Sequence, residues 1–588
     1  MLNKTLIIIS RTVTSEEAAL LVGRSVLAIS LVSMASLSAH KIEFRVIEDF
    51  LGRKNAEQKT KKFCQKISDW LSSQDKNAQS TFGVQGAYTL NGHWFMHRLK
   101  DLHYIHLLCD RIERNFPNQE LWFSSDDKLP ELEVSFESLN LHMFGSGLAH
   151  LEALMLLGLP NGITKPADAT ISGRAQNSFF LQLMRRSPTI LVRRSKKLIS
   201  AWANRFYKQE KKFWVVQPGY DLEVLISKTP NVEFVDVAHP YFKTSSKISN
   251  NVNVDTGIFH DLLPRFAVPV EKIMIKYDSN IVSNLMALKR DVVKTLRLEK
   301  PDGLLYAMGS ADVYQGIIAQ SANEEQVPVF YFKHGGIENL FLKKSQLDDY
   351  FELESVIKRV QFLHCPAELK LYEDLKNVTP IVTGALNGLS LRNKKYNSVK
   401  KRFLYVAGPP ACWSFRDPHK STLDSERYEF ALTLFKLSEK LGLSFDIKVH
   451  PADHITAFNF YASLRSMHPK VNCKLLIGGA VERIVHKYEL VVFDMVSTRV
   501  LGGLIPTSKP FLVYVPFGLG LSEHFEALQR RAFVVRDKIT LEEFLRDFAS
   551  DSLDLKTDEH FNNQYTFMYK TGTPLGNVKA ELGLCKIR

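Results

Sequence analysis

Short apolar runs alternate along the chain with longer stretches in which apolar residues return every three or four positions. The first pattern suits a strand buried on both faces and the second an amphipathic helix. Their alternation predicts layered α/β structure built on parallel sheets. The runs in the first part are Thr5–Ile9, Glu43–Ile47, Leu121–Phe123, Phe213–Val216, Val232–Val237, Gly303–Ala307, Val327–Phe332 and Pro380–Thr383. The stretch from Ala18 to Leu37 carries Arg24 in its middle and follows Glu16 and Glu17, and it reads as an amphipathic helix rather than an export signal or a membrane span.

A polar, basic segment from Gly388 to Arg402 separates this part from a second α/β unit. That unit has apolar runs at Phe403–Ala407, Phe445–Val449, Lys474–Ile477, Leu490–Asp494, Pro510–Val515 and Arg531–Val535. Helical patterns lie near 425–441, 480–488 and 541–548. The expected plan is an acceptor-side domain over 1–390 with a helical insertion at about 145–212, a linker at 391–402, a nucleotide-binding domain over 403–570 and a tail at 571–588. Two doubly wound, Rossmann-like domains facing a cleft place a ligand at the carboxyl ends of the strands.

The chain is long enough for at least two cores, at 588 residues with 45% hydrophobic and 24% charged. Its six cysteines form no CxxC pair, which points away from disulfide and zinc frameworks and toward a reducing cytoplasm. The net charge of +13 favours anionic partners. No nucleic-acid motif accompanies it, so phosphorylated substrates and an anionic membrane surface are the expected partners. The run Arg185-Arg186, Arg193-Arg194, Lys196-Lys197, Arg205 and Lys208 is interleaved with Leu191, Val192, Leu198, Ile199, Trp202 and Phe206. It suits either a membrane-surface helix or a core helix with a solvated basic face.

Candidate chemistry gathers at strand ends. Lys448-Val449-His450-Pro451 closes one strand, because proline cannot continue a ladder. His450 there could bond a donor phosphate or protonate a leaving nucleotide, with Lys448 and Pro451 beside it. Ser497 and Thr498 follow the strand ending at Asp494, with Gly502 and Gly503 beyond, and suit an anion site or a helix cap. Gly408 opens the turn after the unit's first strand. In the first domain, Lys333-His334-Gly335-Gly336 follows Val327–Phe332, and His334 is the candidate base on the acceptor side. Ser310 and Asp312 are weaker candidates that also read as helix caps, and the pair Asp126-Asp127, beside Ser124 and Ser125, reads more simply as a solvated turn than as a carboxylate base.

These residues resemble bacterial glycosyltransferases of the GT-B fold that use CMP-sugars, the sialyltransferase and Kdo-transferase kinds, which share a His-Pro motif after a strand and a Ser/Thr pair near the donor phosphate. Here those are His450-Pro451 and Ser497-Thr498. The chain is also similar to the CDP-glycerol and CDP-ribitol phosphotransferases of teichoic-acid synthesis through His334-Gly335, Lys448 to Pro451 and Asp494 to Thr498. It departs from the sialyltransferases in that Asp126-Asp127 is followed by Lys128, not glycine. The resemblance implies a GT-B-like enzyme taking a nucleotide-activated sugar as substrate, with no separate cofactor, and a surface polysaccharide or lipid-linked glycan as acceptor; a phosphate site built from His, Ser, Thr, Lys and backbone, without a close carboxylate pair, favours working without a metal. A CDP-alditol phosphotransferase and a non-catalytic nucleotide-sugar-binding protein of polysaccharide assembly are the alternatives.

Overall fold

A computed structural model describes residues 5–82, 86–89, 92–123, 148–164, 211–217, 220–237, 254–307, 313–332, 340–341, 357–384, 386, 399–408, 422–450, 454–479, 481–496, 499–505, 509–553, 561, 564–565 and 573–584. Strands β1 (Thr5–Ile9), β2 (Ser25–Ala28), β3 (Asn118–Trp122) and β4 (Ile163–Thr164) form a small sheet in the order β2-β1-β3-β4. A second sheet takes β5 (Lys211–Gln217), β6 (Val232–Asp236), β7 (Gly303–Ala307), β8 (Val329–Phe332), β9 (Arg359–Leu363) and β10 (Val378–Val382). The third takes β11 (Val399–Val406), β12 (Ser444–Lys448), β13 (Cys473–Leu476), β14 (Tyr488–Phe493), β15 (Phe511–Tyr514) and β16 (Phe533–Val535). Every strand pairing among the described residues of these sheets is parallel.

The second sheet runs β10-β9-β8-β7-β5-β6 and the third β13-β12-β11-β14-β15-β16. Each reverses direction once, between β5 and β7 and between β11 and β14, which is the doubly wound Rossmann-like pattern. Two Rossmann-like parallel-sheet domains are therefore present. Their connections meet where Ser522, after β15, donates its backbone N–H to the Phe341 carbonyl, after β8, at 3.1 Å. Phe341 also stacks on Tyr565, with ring centres 5.9 Å apart. The result is a GT-B-like layout.

The strands before residue 390 divide between two sheets instead of joining one. Alternation along β1 explains how. Leu6 and Ile8 enter a core shared with Phe63, Leu99 and the second sheet's Trp214 and Leu304. Ile7 and Ile9 enter a core shared with Phe403, Phe445 and Leu490 of the third sheet. The small sheet is thus covered on both faces by different partners, and an apolar run does not say which neighbour it will pair with.

Other differences have local causes. The Ala18–Leu37 stretch holds β2 followed by a helix at Leu31–Ala39, because Ser30 caps that helix by accepting from the Ser33 N–H and breaks the run. Glu43–Ile47 makes a single bridge, Arg45 to Leu27, before a 3-10 turn at Ile47–Asp49. β9 escapes an apolar pattern because Arg359 and Gln361 are buried polar residues that bond each other at 3.2 Å. The helix expected near 480–488 is two 3-10 turns, Val481–Arg483 and Val485–Lys487. The helix Leu148–Gly158 and β4 complete the small sheet where the insertion was expected to begin. The basic run from Arg185 to Lys208 lies outside the described residues.

β11 begins at Val399, inside the expected linker. The expected tail contains a helix, Pro574–Glu581, started by Thr573 as N-cap and by Pro574 in the first turn. This helix packs on the second sheet: Val578 and Leu582 are buried with Phe213, Val215 and Leu305. Lys211 Nζ donates to the Leu582 carbonyl at 3.1 Å. Among the described residues, Cys64, Cys109, Cys365 and Cys473 are buried free thiols, and no helix is long and apolar enough to cross a membrane.

Candidate functional site

Open parallel sheets bind ligands at the carboxyl ends of their strands where the winding reverses. In the third sheet that point lies between β11 and β14, with β12 on the other side of β11. β11 runs into Ala407 and Gly408, β12 into Val449 and His450, and β14 into Asp494. The Ala407 N–H donates to the Lys448 carbonyl at 3.1 Å, holding the first two ends together. Gly408, Lys448 and His450, far apart in sequence, therefore share one edge.

A buried polar knot fixes this edge. Asp494 is fully buried and takes bonds from three donors on two elements, the Gly408 N–H at 2.7 Å and the Tyr405 hydroxyl at 2.8 Å from β11 and its turn, and Arg427 Nε at 2.8 Å from the helix Asp424–Leu441. The Thr422 hydroxyl donates to the Asp494 carbonyl. Tyr461 joins through its hydroxyl, 3.1 Å from that of Tyr405. Burial opposes charge on Arg427, yet Asp494 and Asp424 outweigh it and hold the guanidinium pKa above its ordinary value. Burial, then Asp494, pushes both tyrosine hydroxyls up, so they stay protonated donors. Asp494 is thus saturated, and its work is to anchor the turn that leads to Ser497 and Thr498.

Gly408 is required for space. A Cβ there would lie 2.6 Å from Met495 Sδ and 2.9 Å from both Arg427 Nη2 and Asp494 Oδ1. Its amide is used by Asp494, so its contribution to the edge is clearance and not a donor to phosphate. Lys448 is buried, with Nζ 3.4 Å from the Val449 carbonyl. His450 is half-buried directly after β12. Gly502 lies on the helix Arg499–Leu504 that follows the β14 turn. Pro451, Ser497, Thr498, Lys333, His334, Gly335, Gly336, Ser310, Asp312, Asp126 and Asp127 lie outside the described residues. Among the described residues no group of three or more His, Cys, Asp or Glu is placed to hold a metal ion.

The sequence reading missed Tyr405, Arg427, Tyr461 and Thr422. A signal existed for Arg427. It falls in line with Leu423, Phe430, Ala431 and Leu434 on the buried face of the helix Asp424–Leu441, where an arginine needs a carboxylate partner. The opposite edge of the sheet has its own knot, in which Asp446 accepts from Arg402 at 2.8 Å and from the Tyr488 hydroxyl at 2.6 Å. It joins β11, β12 and β14 near their amino ends and serves the fold.

No family model matches the sequence, and no curated protein matches it. Among solved structures, the chain is similar to MnaA of S. aureus in a co-structure with UDP, at 16% identity and a TM-score of 0.35 over 64% of this chain and 98% of that one. It is likewise similar to the UDP-GlcNAc 2-epimerase of Neisseria meningitidis bound to UDP-GlcNAc, at 16% and 0.36 over 63% and 99%. The MurG of Acinetobacter baumannii aligns at 10% and 0.33, over 64% of this chain and 100% of its own.

Proposed function

We propose that the protein is a glycosyltransferase that moves a nonulosonic-acid or Kdo-type sugar from a CMP-activated donor to a surface polysaccharide or lipid-linked glycan. The observation that carries a nucleotide site is the reversal point of the third sheet, where Gly408 lets the Asp494 knot pack against the end of β11, His450 ends the adjacent strand and Asp494 anchors the turn before Ser497-Thr498. The cytidine base and the acidic sugar rest on the motif resemblance of His450-Pro451 and Ser497-Thr498. In this reading His450 and Ser497-Thr498 bond the donor phosphate. His450 can protonate the departing phosphate oxygen, and His334 faces the acceptor.

The test is thermal stabilisation by a nucleotide panel. A ligand that binds only the folded state raises its stability by mass action. CMP or CDP is expected to stabilise more than UMP, UDP, GDP or ADP. Equal or stronger stabilisation by a uridine nucleotide would overturn the cytidine assignment while keeping the site. Replacing His450 by Ala should weaken binding by about 1.5–3 kcal/mol, the worth of a hydrogen bond to a charged group.

A further inference from the structure

A second polar pair stands at the carboxyl edge of the second sheet. β9 ends at Leu363, and His364 follows directly. Its Nε2 lies 3.2 Å from Asp221 Oδ2. Asp221 sits in the first turn of the helix Tyr220–Ser227, which follows β5. β8 and β7 lie between β9 and β5 in the sheet, so the pair joins elements on either side of those two strands. The backbone holds the histidine in place: Glu368 accepts from the His364 N–H at 2.6 Å and from the Cys365 N–H at 3.2 Å. Cys365 packs in the cluster that includes Phe341 and Tyr565, where the two domains touch. The side chains of His364 and Asp221 are 11% and 9% exposed, recessed but not sealed.

A carboxylate on one ring nitrogen fixes the tautomer of a histidine. With Nε2–H donating to Asp221, the lone pair is on Nδ1, and the carboxylate stabilises the imidazolium that forms on protonation. A fold that only needed to tie β9 to the helix after β5 could do so with apolar packing. Using a recessed His–Asp pair at the ligand edge supplies a proton acceptor opposite the nucleotide half.

We propose that His364, oriented by Asp221, takes the proton from the acceptor hydroxyl during transfer. This rests on the transferase reading above. The acceptor oxygen forms a bond to the anomeric carbon while the bond from that carbon to the donor phosphate oxygen breaks. The electron pair leaves with the nucleotide phosphate, and the acceptor proton ends on His364 Nδ1. Asp221 is a positioning residue, and the donor nucleotide does not touch either group.

The experiment uses the full chain, with the parent, His364→Ala, Asp221→Asn and His334→Ala compared by nucleotide affinity in calorimetry and by turnover with saturating donor. The probes are CMP for binding, and a panel of CMP-, UDP- and GDP-sugars with mixed glycan acceptors for turnover. General-base catalysis contributes roughly 10²- to 10⁴-fold, so His364→Ala should lose turnover in that range with CMP affinity unchanged. Added imidazole should restore part of the loss, which a purely structural residue would not show. Asp221→Asn keeps the shape of the pair and should lower kcat with little change in donor KM. If His364→Ala does not fold, Asp221→Asn decides by that split. Parental turnover in these variants, or a loss confined to His334→Ala, would overturn the role of His364 alone. A parent chain that releases nucleotide from no donor overturns the transferase reading and this role with it.

Discussion

Replacing Arg427 by Met tests whether the buried knot holds the third sheet's ligand edge. The guanidinium and the Asp494 carboxylate are 2% and 0% exposed, and Nε lies 2.8 Å from Oδ2. Methionine matches much of the arginine volume, so the loss is one of charge and donors more than of packing. Removing one partner of a buried pair costs about 3–5 kcal/mol, because the other charge remains out of water. Here the Gly408 N–H and the Tyr405 hydroxyl still serve Asp494, which places the expected cost near the lower end, about 3 kcal/mol. For a domain of this kind each kcal/mol moves the melting point by about 2–4 °C, so a drop of about 6–12 °C is expected. Calorimetry should show it in the transition that nucleotide stabilises. The double variant Arg427→Met with Asp494→Asn removes the stranded charge and should recover a good part of the loss, a coupling that the double-mutant cycle reads directly. A single variant within about 1 kcal/mol of the parent, or a double variant no better than the single, would refute the reasoning.

Gly408→Ala should destabilise the same transition by about 1–3 kcal/mol through overpacking against Met495, Arg427 and Asp494, and should weaken nucleotide stabilisation, checked by the same melts. Glu48 contributes a pH dependence of unusual sign. Burial, with Asp424 and Glu426 nearby, raises its pKa from 4.5 to about 7. Between those values the folded chain keeps a proton that the unfolded chain releases, so stability falls as pH rises from about 4.5 to about 7, by at most about 3 kcal/mol. Glu48→Gln should therefore match the parent near pH 4.5 and exceed it at pH 8 in urea melts; equal stability at both would remove the effect. A chain truncated after residue 572 loses the burial of Val578 and Leu582, worth roughly 3–6 kcal/mol for two fully buried side chains, and should expose the second sheet to proteolysis.

The legible part of the fold was what burial on both faces writes into sequence. β1, β7, β8 and β15 are near-continuous apolar runs whose positions followed from that alone, as did the apolar parts of β5, β11 and β14, while the basic starts of β5 and β11 did not. β9 was hidden because it carries the buried polar residues Arg359 and Gln361, which bond each other inside the sheet, and β2 because serines that cap the next helix look like one face of a longer helix. At the candidate site, the strand ends at Gly408, His450 and Asp494 were visible. The bonds that join them were not. Arg427 lies 67 residues from Asp494 and Tyr405 lies 89 from it, and pairings at such separations are made by topology. The His364–Asp221 pair, 143 residues apart, was invisible for the same reason.

The helix Pro574–Glu581 also sets a timetable for synthesis. Its contact from Lys211 to Leu582 spans 371 residues. At about 5–20 residues per second, β5 leaves the ribosome roughly 20 to 75 seconds before the helix that covers it. During that interval Phe213, Val215 and Leu305 lack the part of their cover that Val578 and Leu582 supply, while the third sheet, contiguous from β11 to β16, can assemble from residues made close together. The nascent second sheet therefore keeps apolar surface exposed until the end of the chain is made. Slowing translation after residue 217 should lengthen its exposure without touching a single contact of the finished protein.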